Sequence, residues 1–401
     1  MNTTQSRTKL LLALASLTAL GPLSIDFYLP GFPAMSADLG VPIGTIQLSL
    51  AAFFIGISIG QLFYGPWTDR VGRKQPLYIG LGLYIASSIA IAYTSSAEGL
   101  IFWRLIQAFG GCAGMVVARA VVRDAFPIEE TARVFSILML ITGVAPILAP
   151  TFGGLMTAWF GWRSIFVTLA ILSSLSLLMV HFVLPETGTP NHNVSYHPIK
   201  VFKSYVDVFR EPSFVTYVFM GSIAAAGMFA YISASPYVFM EKYGLSETQY
   251  GWVFGMNAFG LIAASQVNRY WLHRRHGSEI IQRASTMHAL VASALLVLTL
   301  YGHPPLSMLL VLVFGYMALL GFIFPNSAAM TLMPFGKNAG AASALMGSVQ
   351  MVLGAAAAAL VSSFHNQTVY PMLIGMSVCA LLSYSTLMLG NGWIRQRSLA
   401  T

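Results

Sequence analysis

The sequence predicts an all-α membrane protein whose twelve transmembrane helices form two six-helix bundles. Three observations lead there. Hydrophobic residues make up 56% of the 401 residues and charged residues 8%, against roughly 25% charged in soluble domains, and the mean hydropathy is +0.72. The apolar segments are long and do not alternate, which is the pattern of helices rather than barrel strands. In lipid the backbone must satisfy its own hydrogen bonds, and a helix does so within one segment. The longest polar stretch, PETGTPNHNVSYHPIKVFKSYVDVFREP, parts six apolar segments from six.

Periodicity and length place the spans at about 9–30, 45–68, 76–95, 99–123, 133–158, 163–184, 213–239, 247–270, 279–301, 305–332, 339–363 and 368–391. The expected organisation is an N-terminal bundle over 1–184, a central cytoplasmic loop over 185–212 and a C-terminal bundle over 213–401. With the N-terminus inside, the basic residues gather at the inner face, among them Arg133, Lys200, Lys203 and Lys337. Only Arg163 and Lys242 fall outside, and Arg104 lies within a span. That bias fixes the orientation. It also accounts for the net charge of +8, which meets anionic membrane lipids and requires no nucleic acid. The apolar N-terminus lacks a small-residue cleavage site and is read as the first span, retained. Cys112 and Cys379 sit in apolar runs of different halves and read as unpaired packing residues.

The most specific short motif is GPWTDRVGRK, Gly65–Lys74, in the inner loop between spans two and three. Gly65 and Pro66 are expected to end the helix, Gly72 to allow a tight turn, and Arg70, Arg73 and Lys74 to meet the anionic leaflet. Asp69 can pair with a cation or cap a neighbouring helix N-terminus. The pattern resembles the signature loop of the major facilitator superfamily. RLIQAFGG (Arg104–Gly111) is similar to that superfamily's span-four element, but carries Ala108 where glycine is usual, which predicts a looser helix approach. APILAPTFGG (Ala145–Gly154) resembles the proline–glycine motif of its antiporters. There Pro146 and Pro150 bend the helix, while Gly153 and Gly154 permit close packing. LPET (Leu184–Thr187) fits the usual exit into the central loop. PLSIDFYLP, ARAVVRDAFP and SASPYVF narrow the likeness to the bicyclomycin-resistance (Bcr/CflA) subfamily of drug:proton antiporters. NRYWLHRRHG (Asn268–Gly277) is only a faint echo of the signature loop, lacking its acid.

The resemblance implies the major facilitator fold, in which spans one, four, seven and ten surround a central cavity. It assigns Asp26, Tyr28, Phe54, Gln107, Tyr231, Ser233, Asn257 and Asn326 to substrate, with Ser235 beside them and Phe53 and Phe229 in an aromatic wall. For the polar members an interhelical hydrogen bond without ligand contact is the alternative; for the aromatics it is packing. Asp26 and Arg104 carry a sharper argument. A charge inside a span costs at least ~2.5–3.5 kcal/mol, so a chain keeps it only where a partner or water compensates. Both lie about one turn inside the outer ends of their spans, so the two can meet, either as a proton-coupling pair or as a structural ion pair. Asp69, with Arg119 or Arg123, is the expected inner gate.

Other acids read as bland. Asp38, Glu98, Glu241 and Glu247 are expected as solvated outer charges; Asp124, Glu129 and Glu130 are expected to pair with Arg119, Arg123 and Arg133. His192 and His197 fall in the central loop, and His273 and His276 share a basic loop without a metal-ligand pattern. No phosphate-binding GxxxxGK[ST] stretch is present, so ATP is not expected to supply energy. The resemblance therefore implies a monomeric transporter, not an enzyme and without a cofactor, in a bacterial cytoplasmic (inner) membrane with both termini inside. It would export small amphiphilic molecules in exchange for protons. A facilitator or importer of a metabolite shares the fold, and a membrane receptor or scaffold is a more distant alternative.

Overall fold

A computed structural model describes residues 4–188, 205–299, 304–364 and 368–400. His192, His197, Lys200 and Lys203 lie outside them, as do the side chains of Glu129, Arg133 and Lys337. The described residues include twelve long helices and a short one between the first two of them. These are α1 (Thr4–Asp26), α2 (Phe32–Leu39, short), α3 (Ile43–Val71), α4 (Lys74–Ala92), α5 (Ala97–Ala125), α6 (Ile128–Phe160) and α7 (Arg163–Phe182), followed by α8 (Pro212–Pro236), α9 (Glu247–Trp271), α10 (Gly277–Leu298), α11 (Leu306–Leu332), α12 (Ala339–Ser363) and α13 (Tyr370–Ala400). Eleven candidate spans are long and apolar enough to cross a membrane, and α9 is not among them. Its sequence is diluted by Gln249, Asn257, Gln266 and Asn268. Large apolar side chains stand exposed along the helices, Phe182 and Leu389 at 78% each, which suits hydrocarbon and not water.

Helix ends follow local chemistry. Ser96 accepts a hydrogen bond from Gly99 N at the start of α5, and Ser246 with Gln249 forms a reciprocal cap on α9. Gly161 closes α6 with a positive φ of 76°. Three ends depart from expectation. Span one does not run on to residue 30: α1 stops at Asp26, and a 3₁₀ turn (Leu29–Gly31) leads into α2. Span two does not stop at Gly65 and Pro66; α3 continues through both to Val71. A proline removes one intrahelical bond, and packing of the surrounding turns outweighs that loss. Span seven passes Pro236 into a π-helical turn, Tyr237–Lys242.

The chain divides into two compact units, Met1–Pro198 and Ile199–Thr401. In the first, α5 lies against α3 and α4. The looser approach expected at Ala108 does not occur, because the partner helix supplies the glycines. A Cβ on Gly56 would meet the Leu105 carbonyl and Ala108 Cβ, and one on Gly60 would lie 2.6 Å from Cys112 Cβ. On the other side Gly110 faces the Gly80 carbonyl at 2.5 Å from its would-be Cβ. In the second unit, α8 packs against α11, α12 and α13.

Candidate transport site

Arg104 on α5 is wholly buried, and no carboxylate among the described residues is ion-paired to it. Its charge is compensated by other means. One guanidinium nitrogen donates to Gln107 Oε1 at 2.6 Å, another to the Ser24 carbonyl at 2.9 Å, and Nε has no partner among the described residues. The guanidinium carbon sits 4.1 Å from the Phe53 ring centre and 4.3 Å from that of Tyr28, so two negative ring faces flank it. The Ser24 carbonyl belongs to the last turn of α1, the negative pole of that helix.

The groups around Arg104 hold one another. Gln107 Nε2 donates to Ser88 Oγ at 2.7 Å, and Ser88 Oγ donates to the Tyr84 carbonyl. Ser24 Oγ shares a hydrogen bond with the Tyr84 hydroxyl at 2.5 Å, and the Tyr28 hydroxyl shares one with Ser49 Oγ. Phe166 of α7 meets Tyr28 edge-on, ring centres 5.8 Å apart. Tyr28 and Gln107, expected to meet substrate, are thus buried with their polar atoms engaged, and in this structure they support Arg104. Sequence reading missed Ser24, Ser49, Tyr84, Ser88 and Phe166. The one available signal was Tyr84 and Ser88, four apart and so on one face of α4. Phe54 is likewise buried on α3.

Asp26 ends α1 and is 4% exposed. It does not pair with Arg104, and no ion pair among the described residues includes it. The expected meeting fails because α1 stops there: the arginine reaches the helix carbonyl two residues earlier instead. The chain next to Asp26 is seated by the proline–glycine stretch of α6. A Cβ on Gly153 would run into the Phe27 carbonyl. Pro146, Pro150 and Gly154 lie within the same helix, and Thr157 Oγ1 donates to the Gly153 carbonyl at 2.9 Å.

At the opposite end of this bundle the signature loop centres on Arg73. It bonds Asp69 Oδ1 and Asp124 Oδ2, each at 2.8 Å. Burial works against the Arg73 charge, but the hydrogen bonds and charges of Asp124 and Asp69 outweigh it and hold its pKa above the ordinary arginine value. Asp69 therefore pairs with Arg73, four residues on, and not with Arg119 or Arg123. Asp124 likewise turns to Arg73, and Glu130 bonds Arg7 at 2.9 Å. Glu186 of the LPET stretch takes the capping role considered for Asp69. Its carboxylate accepts from the backbone N–H of Arg73 (2.6 Å) and Lys74 (3.1 Å) at the start of α4. Gly72, at φ 97°, leaves room for that carboxylate, 2.9 Å from a would-be Cβ. Lys74 Nζ donates to the His181 carbonyl rather than standing free. Arg70 and Gly65 belong to the last turns of α3. Asp38, expected to be solvated, pairs with Arg163 at 2.6 Å at the other end.

In the second unit the structure joins Asn257 and Tyr231: Asn257 Nδ2 donates to the Tyr231 hydroxyl at 2.8 Å, and Tyr231 stacks on Phe254. Ser235 bonds the Tyr250 hydroxyl at 2.9 Å. Ser233 is fully buried, and its Oγ has no partner among the described residues. Phe229 packs against Gly354. Asn326 does not join this group. It lies near the C-terminal end of α11 and donates to Asn268 Oδ1 at 2.7 Å, bridging to the end of α9. Its place on span ten was right, but its depth along the helix puts it at the wrong end for the Tyr231–Asn257 cluster.

Comparison with known proteins agrees with this architecture. Two solved structures share the fold at 14% sequence identity. A bacterial homolog of the human lysosomal transporter Spinster superposes with a TM-score of 0.72, covering 97% of this chain and 96% of that one. A D-xylose–proton symporter gives 0.67, covering 95% and 98%. An uncharacterized MFS-type transporter of Bacillus subtilis is 34% identical over 95% of this chain and 94% of its own length. A bicyclomycin resistance protein homolog of Haemophilus influenzae is 29% identical over 96% of both chains. Multidrug resistance protein D of Escherichia coli is 28% identical over 91% of both. These relatives bear out the narrower resemblance to the bicyclomycin-resistance subfamily. The family model of the Major Facilitator Superfamily matches residues 14–359, and the chain belongs to that superfamily: it is a multi-pass membrane transporter, not an enzyme.

Proposed function

We propose that this chain exports small amphiphilic molecules, antibiotics among them, in exchange for protons. Relatives named for bicyclomycin and multidrug resistance support the substrate class. The observation that carries the coupling is Asp26, a buried acid at a broken helix end with no ion-pair partner among the described residues. The negative pole of α1 does not favour a carboxylate. Arg104, bonded to the Ser24 carbonyl, brings a positive charge to that same turn without contacting the acid. A proton on Asp26 removes a charge whose exposure or burial differs between transporter states, and so biases their equilibrium. A substrate seated beside Asp26 favours release of that proton, and competition for one group yields exchange. In the second unit Tyr231, Ser233 and Asn257 are the candidates to contact substrate, Ser233 because its hydroxyl lacks a partner. The protein works as a monomer in a bacterial cytoplasmic membrane, with both termini inside.

The test is transport in proteoliposomes with an imposed pH gradient, following substrate and internal pH together. Asp26→Asn should insert and equilibrate substrate but lose uphill, proton-driven export; Asp26→Glu should retain part of it. If Asp26→Asn still moves substrate uphill and still dissipates the gradient, the proton travels elsewhere. Accumulation of substrate in the direction of proton entry would identify an importer instead.

A further inference from the structure

The turn from α9 to α10 has no role in the reading above, yet it is built in an unusual way. All residues from Arg269 to His276 are exposed. On α10, one turn beyond, Glu279 Oε1 accepts from Arg275 at 2.8 Å and is ion-paired with Arg283 at 2.6 Å. One carboxylate oxygen thus fixes two guanidinium groups along one helix face. Each arginine has five N–H donors, and these contacts with Glu279 are the only polar ones either makes among the described residues. The trio keeps a net positive charge. It opens onto a groove of about 540 Å³ lined by Glu279, Gln282, Arg283, Thr286 and Met287.

The groove is graded along the helix. Arg283 and Gln282 offer donors at the end nearer the turn, Thr286 spends its hydroxyl on the Gln282 carbonyl at 2.9 Å, and Met287 and Leu290 are 58% and 66% exposed beyond them. At 1.5 Å per residue, Leu290 lies about 10 Å further along the axis than Arg283. Tyr270 and Trp271 stand exposed beside the turn, and such rings settle at the headgroup level of a bilayer. A soluble anion needs the donors but not the apolar continuation; a phospholipid needs both. We infer that this face of α10 is a binding site for an anionic phospholipid, its headgroup phosphate held by Arg275 and Arg283 and an acyl chain lying along Met287 and Leu290. Glu279 is a positioning residue that holds the two arginines apart and aimed. The inference does not depend on the transported substrate or on proton coupling.

The experiment is lipid retention by purified protein, read by native mass spectrometry after exchange into phosphatidylglycerol or phosphatidylcholine. Wild type should keep phosphatidylglycerol and release phosphatidylcholine. R275Q/R283Q, altering two half-exposed side chains, should keep about tenfold less phosphatidylglycerol with an unchanged elution profile. The charge-matched control R210Q/R395Q should keep the wild-type amount. Equal loss in the control means diffuse surface charge and overturns the site. Displacement of the lipid by millimolar inorganic phosphate means that a free anion is the occupant, which also overturns the lipid assignment. Because Met287→Gln leaves every charge in place, its loss of phosphatidylglycerol tests the acyl contact separately; full retention there sinks the chain-binding half of the inference.

Discussion

Arg104 shows how a full charge can be kept in a dry interior without a carboxylate. Helix carbonyl, side-chain amide and two aromatic faces share the work, and each contact is weaker than an ion pair but needs no second charge to be desolvated. Asp26 is thereby left available. Arg73 follows the opposite plan, lying between two acids, of which Asp69 is 54% and Asp124 25% exposed in the side chain. The two acids are not equivalent. Asp69→Asn loses an exposed pair, worth at most about 1 kcal/mol, and should leave thermal unfolding in detergent nearly unchanged while slowing transport partially. Arg73→Ala leaves Asp124 and Asp69 facing each other without a cation and should lower the unfolding temperature clearly more. Equal thermal effects in the two variants would mean that Arg73 is not the centre of this cluster.

At the scale of the element, glycines decide which helices can touch. Gly153 brings α6 onto the Phe27 carbonyl, just past the break in α1, so the antiporter-like motif acts here by seating the chain that carries Asp26. Gly153→Val should be destabilised by about 1–3 kcal/mol and should lose transport. Gly82→Val is the matched control, since nothing lies within 4 Å of its would-be Cβ. Thermal unfolding and counterflow measured on both variants check this, and an equally stable, active Gly153→Val would remove the seat. The break in α1 at Asp26 shows a second rule. Span length was readable, but where this helix stops inside its span was not: there Arg104 of another helix takes the Ser24 carbonyl, whereas the segment of α8 runs on past Pro236 as a π-helical turn.

For the whole molecule, the orientation we propose from the basic residues is testable at described positions. Ser96 and Ser246 cap helices, so their neighbours are better probes. Cysteines at Ser95 and Thr248 should react with an impermeant thiol reagent added to intact cells, and one at Ser278 should not until the cells are opened. Labelling of Ser278 from outside would reverse the topology. The chain divides into two compact units, Met1–Pro198 and Ile199–Thr401; residues 189–204, within the polar stretch after span six, lie outside those described.

Composition alone determined the solvent, the helical class and, through segment length, all twelve long helices to within a few residues at most ends. It could do so because lipid leaves a backbone few choices. The signature loop and the proline–glycine stretch identified the superfamily, since their spacing is local. The partners of charged groups were not legible. Asp26 and Arg104 sit at matching depths yet do not pair, Asp69 chooses Arg73 over Arg119 and Arg123, and Glu186 caps a helix more than a hundred residues earlier. Asn326 pairs with Asn268 instead of lining the cluster of Tyr231 and Asn257. Which of several nearby donors a charge selects turns on distances of an ångström or two, set by helix rotation and by glycine contacts between segments far apart in sequence. Only the tertiary structure decides those.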